Sequence, residues 1–386
     1  MQVIHLALSP LAGSPIRIVN ALNRHTQVRA RLVVLDPDRY GTLTFEGDLN
    51  WKNDREEALA ILEAADIVHL HNNIDPKANP FGIDFTDYAG RGTAFVRQYH
   101  TMPYALARRS HRHEEDIVND PLPQLVVAQF QERYYPRARP VPNIVPINEE
   151  LYTPTRKGGS GVTVFFAPSN IRSAWQVPDA LSRWDTKGFP ETLALLKRIE
   201  RATPGVRIDV GLKLPHAECL ARRRHSHVSI DEMVTGSYHL SSLESLSQGV
   251  PTFAFLDRRT QVTLAEITGT GEHPWMDFRL EEAEIPLRRL LEDAELREEV
   301  GRYSRQWMEQ YWDDVAMVRH FVRAYEDLLE RPGVFQKMRF DPSDGKAMWF
   351  GRGMDDASWE ARRTRHVQCG IWRTIRAGLG VRRREL

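Results

Sequence analysis

In this chain of 386 residues the side chains able to act on a polar ligand gather at the ends of short apolar runs. The segment Thr235 to Pro251, TGSYHLSSLESLSQGVP, puts one carboxylate, Glu244, where a turn enters a helix that Gly249 and Pro251 then stop. A carboxylate there can accept hydrogen bonds from sugar hydroxyls; the structural alternative is an acid favouring a helix N-terminus. The apolar run Asp66 to His71 empties into Asn72 and Asn73, and Gln98-Tyr-His-Thr-Met-Pro103 closes the next run in the same way. An imidazole can bond a hydroxyl or a phosphate, or move a proton near neutral pH. His100 is therefore the catalytic candidate, with His71 and Asn72 beside it.

Cations suited to an anionic group come next. Ala167 to Trp175 carries Arg172, and Arg183-Trp-Asp-Thr-Lys-Gly-Phe-Pro190 carries Arg183 and Lys187 ahead of a helix. Positive side chains and helix amides stabilise the charge that grows on such a group. Lys213, in Gly211-Leu-Lys-Leu-Pro-His216, is placed to act on the base or phosphate side, as is His216. The first apolar run is followed by Ser9-Pro-Leu-Ala-Gly-Ser-Pro15, where Gly13 and Ser14 would let backbone amides approach an anion at a helix start. A tight turn and an exposed basic loop would also account for these segments. One glycine is not a GxGxxG fingerprint, which argues against a nicotinamide-binding domain. His225-Ser-His227 and Asp36-Pro-Asp38 are too short and too poorly accompanied to form metal sites, so neither metal nor cofactor is assigned.

The 52 basic residues balance the 52 acidic ones, which argues against a dedicated nucleic-acid binder. The balance is uneven: from Arg331 onward 13 basic residues face 6 acidic ones, so this tail carries about +7 and the remainder about −7. Eight arginines between Arg362 and Arg384, interleaved with Ile371, Trp372, Ile375 and Leu379, suit either a basic helix lying on anionic lipid or a solvated tail. Two distant cysteines, Cys219 and Cys369, fit a reducing compartment. The N-terminus reads as a strand rather than a signal peptide, and no run approaches the roughly 20 apolar residues of a membrane span. The expected location is the cytoplasm, with peripheral contact at the inner face of a membrane open through the tail.

These candidates need a scaffold, and the apolar pattern supplies one. Val3 to Leu8, Val28 to Leu35, Asp66 to His71, Thr93 to His100 and Leu125 to Ala128 form a first set of buried strands. Val162 to Ala167, Val206 to Leu212, Val228 to Asp231 and Thr252 to Leu256 form a second. Helix-period segments between them imply βαβ units and parallel sheets, whose ligands bind beyond the strands' carboxyl ends. The Pro-rich stretch Pro142 to Gly161 separates the sets, and an amphipathic helix from about Asp293 to Glu330 carries a bend at Gln310 to Asp314.

The order of the central segment, a Gly turn, small hydroxyl residues, Leu-Glu, a small-residue helix turn and Gly-Val-Pro, resembles the donor-site motif of family 4-like glycosyltransferases. The Lys187-Gly188 pair before a helix and the two strand-end histidine motifs are similar to that family too. The resemblance implies the GT-B fold: α/β, with two Rossmann-like doubly wound domains facing a cleft. It places an acceptor-side domain at 1–145, a linker at 146–161, a nucleotide-sugar domain at 162–295, a helix packing back toward the first domain at 296–330 and a basic tail at 331–386. It implies a metal-independent enzyme, of retaining stereochemistry, that moves a sugar from a nucleotide donor to a glycan, lipid-linked or protein acceptor in bacterial-type glycan synthesis. Lys187 with Arg172 or Arg183 would hold the diphosphate, Glu244 the ribose, and Gly13 and Ser14 would lie nearest the reacting groups. Family members commonly carry an earlier glutamate eight positions before, and here that position is Gly236. Asp231, Glu232 and His239 are the nearby sugar-side candidates. A sugar-nucleotide epimerase and a non-catalytic binding or assembly protein of the same fold are the alternatives.

Overall fold

The computed structural model describes residues 1–39, 41, 45–158, 161–168, 171, 184 and 186–336. Arg172, Arg183 and almost all of the basic tail lie outside them. The described residues divide into two compact units, one of Met1–Pro146 with the segment from Asp314 to Gln336 and one of Ile147–Asp313.

The first unit is built on seven strands: β1 (Gln2–Ala7), β2 (Arg29–Val34), β3 (Leu49–Asn50), β4 (Ile67–His71), β5 (Ala94–Tyr99), β6 (Gln124–Val127) and β7 (Arg139–Val141). Its helices are α1 (Ser14–His25), α2 (Arg55–Glu63), α3 (Phe85–Gly90), α4 (Pro103–Ser110) and α5 (Glu114–Val118). The strands pair in parallel in the order β3-β2-β1-β4-β5-β6-β7. Central strands are buried along their length because helices cover both faces: every residue of β4 is buried, its two histidines included, and Ile4, Leu6, Val33, Val68, Leu70, Phe81 and Phe85 share one core. The edge strands β3 and β7 have two and three residues, too few to leave a pattern. Pro140 fits β7 because an edge strand can spare a donor.

The second unit contains β8 (Val162–Phe166), β9 (Val206–Val210), β10 (Val228–Ile230), β11 (Thr252–Ala254) and β12 (Met276–Asp277), again all parallel, in the order β12-β11-β10-β8-β9. Its helices are α6 (Glu191–Ala202), α7 (His216–Arg224), α8 (Leu240–Ser247), α9 (Arg258–Thr268), α10 (Glu284–Glu292) and α11 (Ala294–Tyr311). Val164, Phe166, Leu196, Ile199, Val228, Ile230, Phe253 and Leu287 form its core. In each sheet the order reverses beside the first strand, between β1 and β4 and between β8 and β10, and crevices open at the carboxyl ends of such switch points.

The long C-terminal helix expected from the pattern is two helices. α11 stops at Tyr311 and α12 (Asp314–Glu330) begins after Trp312-Asp313. Trp312 is fully buried against Tyr238 and Trp307 of the second unit, which anchors the end of α11. The helix α12 belongs to the first unit, where it packs on α1 and where Asp314 meets His25 at 2.8 Å. Among the described residues no helix is long and apolar enough to cross a membrane.

Candidate functional site

Polar side chains collect at the switch point of each sheet. In the first unit the loop after β1 takes Leu11, Ala12 and Gly13 through successive positive φ angles of 48°, 56° and 75°. For residues other than glycine that conformation costs roughly 1–2 kcal/mol each, and it persists where the surroundings over-determine it. Here the Gly13 amide donates to Pro10 O at 2.9 Å, and the Ser14 hydroxyl donates to Asn143 Oδ1 at 2.9 Å. A Cβ on Gly13 would stand 3.2 Å from the Phe45 ring.

The loops after β4 and β5 are tied to one another. Asn72 has φ 59°, a value asparagine tolerates, and its Oδ1 accepts from the His100 amide at 2.9 Å. The buried Arg97 guanidinium donates to Asn72 O and Ile74 O and pairs with Asp120 at 3.2 Å. His100 is half-buried, with its Nε2 2.8 Å from Nδ1 of the buried His71. Behind them lie two residues the motif reading passed over. His5 sits in β1 directly opposite His69 of β4, and Tyr325 reaches both rings from α12. The one signal for His5 was a histidine interrupting an otherwise apolar strand. Burial, with help from the charge of His100, pulls His5 down to about 3; burial alone takes His100 to about 3.

In the second unit Lys187 and Gly188 form a left-handed turn, φ 49° and 58°, ahead of α6. A side chain on residue 188 would collide with Val234, its Cβ 2.4 Å from Cγ2, so the Lys-Gly order is sterically required. The buried Lys187 ammonium donates to Asp231 Oδ1 at 2.8 Å and to Ser241 Oγ at 2.7 Å. Asp231, just past β10, also accepts from the His239 amide at 2.7 Å and the Ser241 hydroxyl at 3.1 Å. Burial raises the Asp231 carboxyl, but Lys187 and His239 outweigh it and hold it well below the usual range. The His239 ring lies flat on Trp184, centroids 3.8 Å apart, and burial brings it down to about 4. Lys187, Asp231 and His239 thus form one built cluster. Glu232 turns inward and accepts from the Val234 and Thr235 amides and the Thr235 hydroxyl; burial pushes it up to about 7.

Glu244 corrects the expectation that it marks a helix entry. It lies in the second turn of α8, buried, with Oε2 2.7 Å from Arg223 Nη1 and Oε1 2.9 Å from the part-exposed His216. The helix-start explanation therefore falls. Lys213 is exposed on the loop between β9 and α7 with φ 52°. At Gly236 φ is 92°, and a Cβ would stand 2.8 Å from Asp257 Cβ. The Gly236 carbonyl also accepts from the Asp257 amide and the Thr260 hydroxyl at the start of α9, so this backbone excludes a glutamate.

Among the described residues, His5, His69 and His71 are the one group of three acidic, cysteine or histidine residues whose ligand atoms all lie within 4.8 Å of one another. His69 stacks nearly parallel on both partners, with ring planes 28° and 16° apart. Imidazole lone pairs lie in the ring planes, so stacked rings do not point them at one ion.

No family model and no curated protein matches the sequence. Solved structures do. Sucrose-phosphate synthase from Thermosynechococcus elongatus aligns at a TM-score of 0.50 and 14% identity, over 85% of this chain and 99% of that one. An alpha-glucosyltransferase solved with UDP and a DNA 13-mer containing an HMU base aligns at 0.52 and 11%, over 87% and 100%. Anabaena HepE in complex with UDP aligns at 0.50 and 14%, over 85% and 100%. Two parallel α/β sheets of seven and five strands, matched over 85–87% of the chain, give this protein the GT-B fold.

Proposed function

We propose that the protein is a glycosyltransferase that moves a sugar from a nucleotide-sugar donor, taken by the second unit, to an acceptor taken by the first. The observation that carries this reading is the polar cluster at the β8/β10 switch point. There a buried cation, Lys187, and a buried carboxylate, Glu244, each sit beside a partner that a ligand could replace. Lys187, with Arg172 or Arg183, neutralises the diphosphate in place of a metal ion; Lys213 stands on the same side. Glu244 exchanges His216 for ribose hydroxyls while Arg223 keeps it charged and oriented. In the first unit Gly13 and Ser14 supply close backbone, and His100 serves the reacting hydroxyl with His71 and Asn72 behind it. Asp231 and Glu232 are committed to holding their own loop, and His239 to Trp184, so these three position the site rather than grip the sugar.

UDP is the first nucleotide to test, because the alpha-glucosyltransferase and HepE both hold it. Calorimetric titration should show UDP binding that Glu244→Gln weakens by roughly ten- to a hundredfold, the worth of about 1.5–3 kcal/mol for hydrogen bonds to a charged group. Sugar release from a UDP-sugar should then require an added acceptor, and product chirality at the anomeric carbon tests retention. The second reading, a binding or assembly protein without turnover, is favoured by Gly236. Nucleotide binding with no transfer to any acceptor would select it, and absence of binding to UDP, GDP and their relatives would sink the donor assignment itself.

A further inference from the structure

The cluster behind His100 is a continuous chain of hydrogen bonds. His100 Nε2 meets His71 Nδ1 at 2.8 Å; His71 Nε2 meets His5 Nδ1 at 3.1 Å; His5 Nε2 meets the Tyr325 hydroxyl at 3.2 Å; and that hydroxyl meets His69 Nδ1 at 2.8 Å. All of these residues belong to the first unit, and all but the half-buried His100 are shut from solvent. A neutral imidazole has one N–H and one lone pair, and a phenol donates one hydrogen. If every link is to be a hydrogen bond and the Tyr325 hydroxyl is to give its own hydrogen to one of its two imidazole neighbours, only two arrangements satisfy the chain. In one, His69, His5, His71 and His100 all carry the proton on Nδ1, and bonds run from His69 outward. In the other, all four carry it on Nε2, and the bonds run inward.

We propose that this chain couples the tautomers of four histidines through Tyr325, so that His100 offers either a proton or a lone pair at Nδ1 only as the whole chain is set. The set is fixed on folding rather than reversed in place, because the inner end of the chain, His69 Nε2, is buried without a hydrogen-bond partner and gives a departing proton no acceptor. Mixed tautomers would strand a buried donor or acceptor, at about 1–3 kcal/mol each. Burial also holds His69 and His71 well below the ordinary imidazole range, which keeps a protonated ring out of the interior. The consequence for catalysis rests on the role proposed above for His100; the coupling itself does not. His5, His69, His71 and Tyr325 are in this sense positioning residues.

The test is a two-bond 1H–15N spectrum of the full-length protein with 15N-labelled histidine, which distinguishes Nδ1–H from Nε2–H rings. The coupling predicts one shared tautomer for all four rings in the intact protein, and at least one ring changed or mixed in Tyr325→Phe, which deletes only the bridging hydroxyl. Two different tautomers among the four, or an unchanged set in Tyr325→Phe, overturns it. Equimolar uptake of Zn2+ that shifts these ring nitrogens overturns it as well, since the lone pairs would then serve a metal. If Tyr325→Phe fails to fold, the spectrum of the intact protein decides alone. UDP titration of the same samples keeps the two ideas apart, because loss of nucleotide binding bears on the donor site and leaves the tautomers to be read as before.

Discussion

The Lys187–Asp231 pair should behave as a buried, coupled unit whose two halves affect folding and ligand binding differently. Both side chains are 2–3% exposed and their charged atoms are 2.8 Å apart. Removing one partner of such a pair leaves the other charge buried and costs about 3–5 kcal/mol. Lys187→Met leaves Asp231 with two donors, the His239 amide and the Ser241 hydroxyl, so it should fall near the lower figure. Asp231→Asn leaves an ammonium facing an amide and should fall near the upper one. At roughly 2–4 °C per kcal/mol for a unit of this size, the melting midpoint should drop by roughly 6–20 °C. The double variant should cost about as much as one single variant, a coupling of about 2 kcal/mol or more. Binding should separate the two: Lys187→Met loses UDP affinity, whereas Asp231→Asn, by freeing the ammonium, keeps or raises it. Urea and thermal denaturation with calorimetric titration measure both. Single variants within about 1 kcal/mol of the parent, or effects that simply add, would refute the reasoning.

Two further outcomes follow from the same unit. Burial raises the Glu232 carboxyl from its ordinary value of about 4.5 to about 7, so the folded state binds the extra proton between those values; its contribution is complete below about 4.5 and is lost as pH rises through 7. The loss amounts to roughly 3 kcal/mol at about 1.4 kcal/mol per unit; urea titrations across pH 5 to 8 should show a flatter profile for Glu232→Gln, and identical slopes would count against it. Introducing a glutamate at position 236 should destabilise by about 2–4 kcal/mol, from a left-handed backbone and overpacking against Asp257. A Gly236→Glu protein melting within about 2 °C of the parent would show that the loop can yield.

The architecture could be read from the chain because buried parallel strands are apolar on both faces and glycine marks turns that other residues cannot make. The runs predicted at Val3, Val28, Asp66, Thr93, Val162 and Val228 all lie on strands of the two sheets. The same pattern put His71, His100 and Asp231 at or just past the carboxyl ends of their strands, where the structure has them. Short edge strands such as β3, β7 and β12 escaped, since Leu-Asn, Arg-Pro-Val and Met-Asp form no apolar run.

Sequence alone determined which residue types stand at the strand ends, and its apolar runs the parallel α/β architecture that carries them. It also exposed the glycine at 236. Tertiary structure decided what those residues do with one another. Lys187 spends its charge on Asp231, 44 positions away by number, and Glu244 is buried between Arg223 and His216 instead of opening a helix. His100 ends a chain that runs to Tyr325, whose bond to His5 spans 320 residues. Hydrogen bonds and ion pairs of that reach depend on which strand lies beside which and on where the last helix docks, and local spacing carries no record of either.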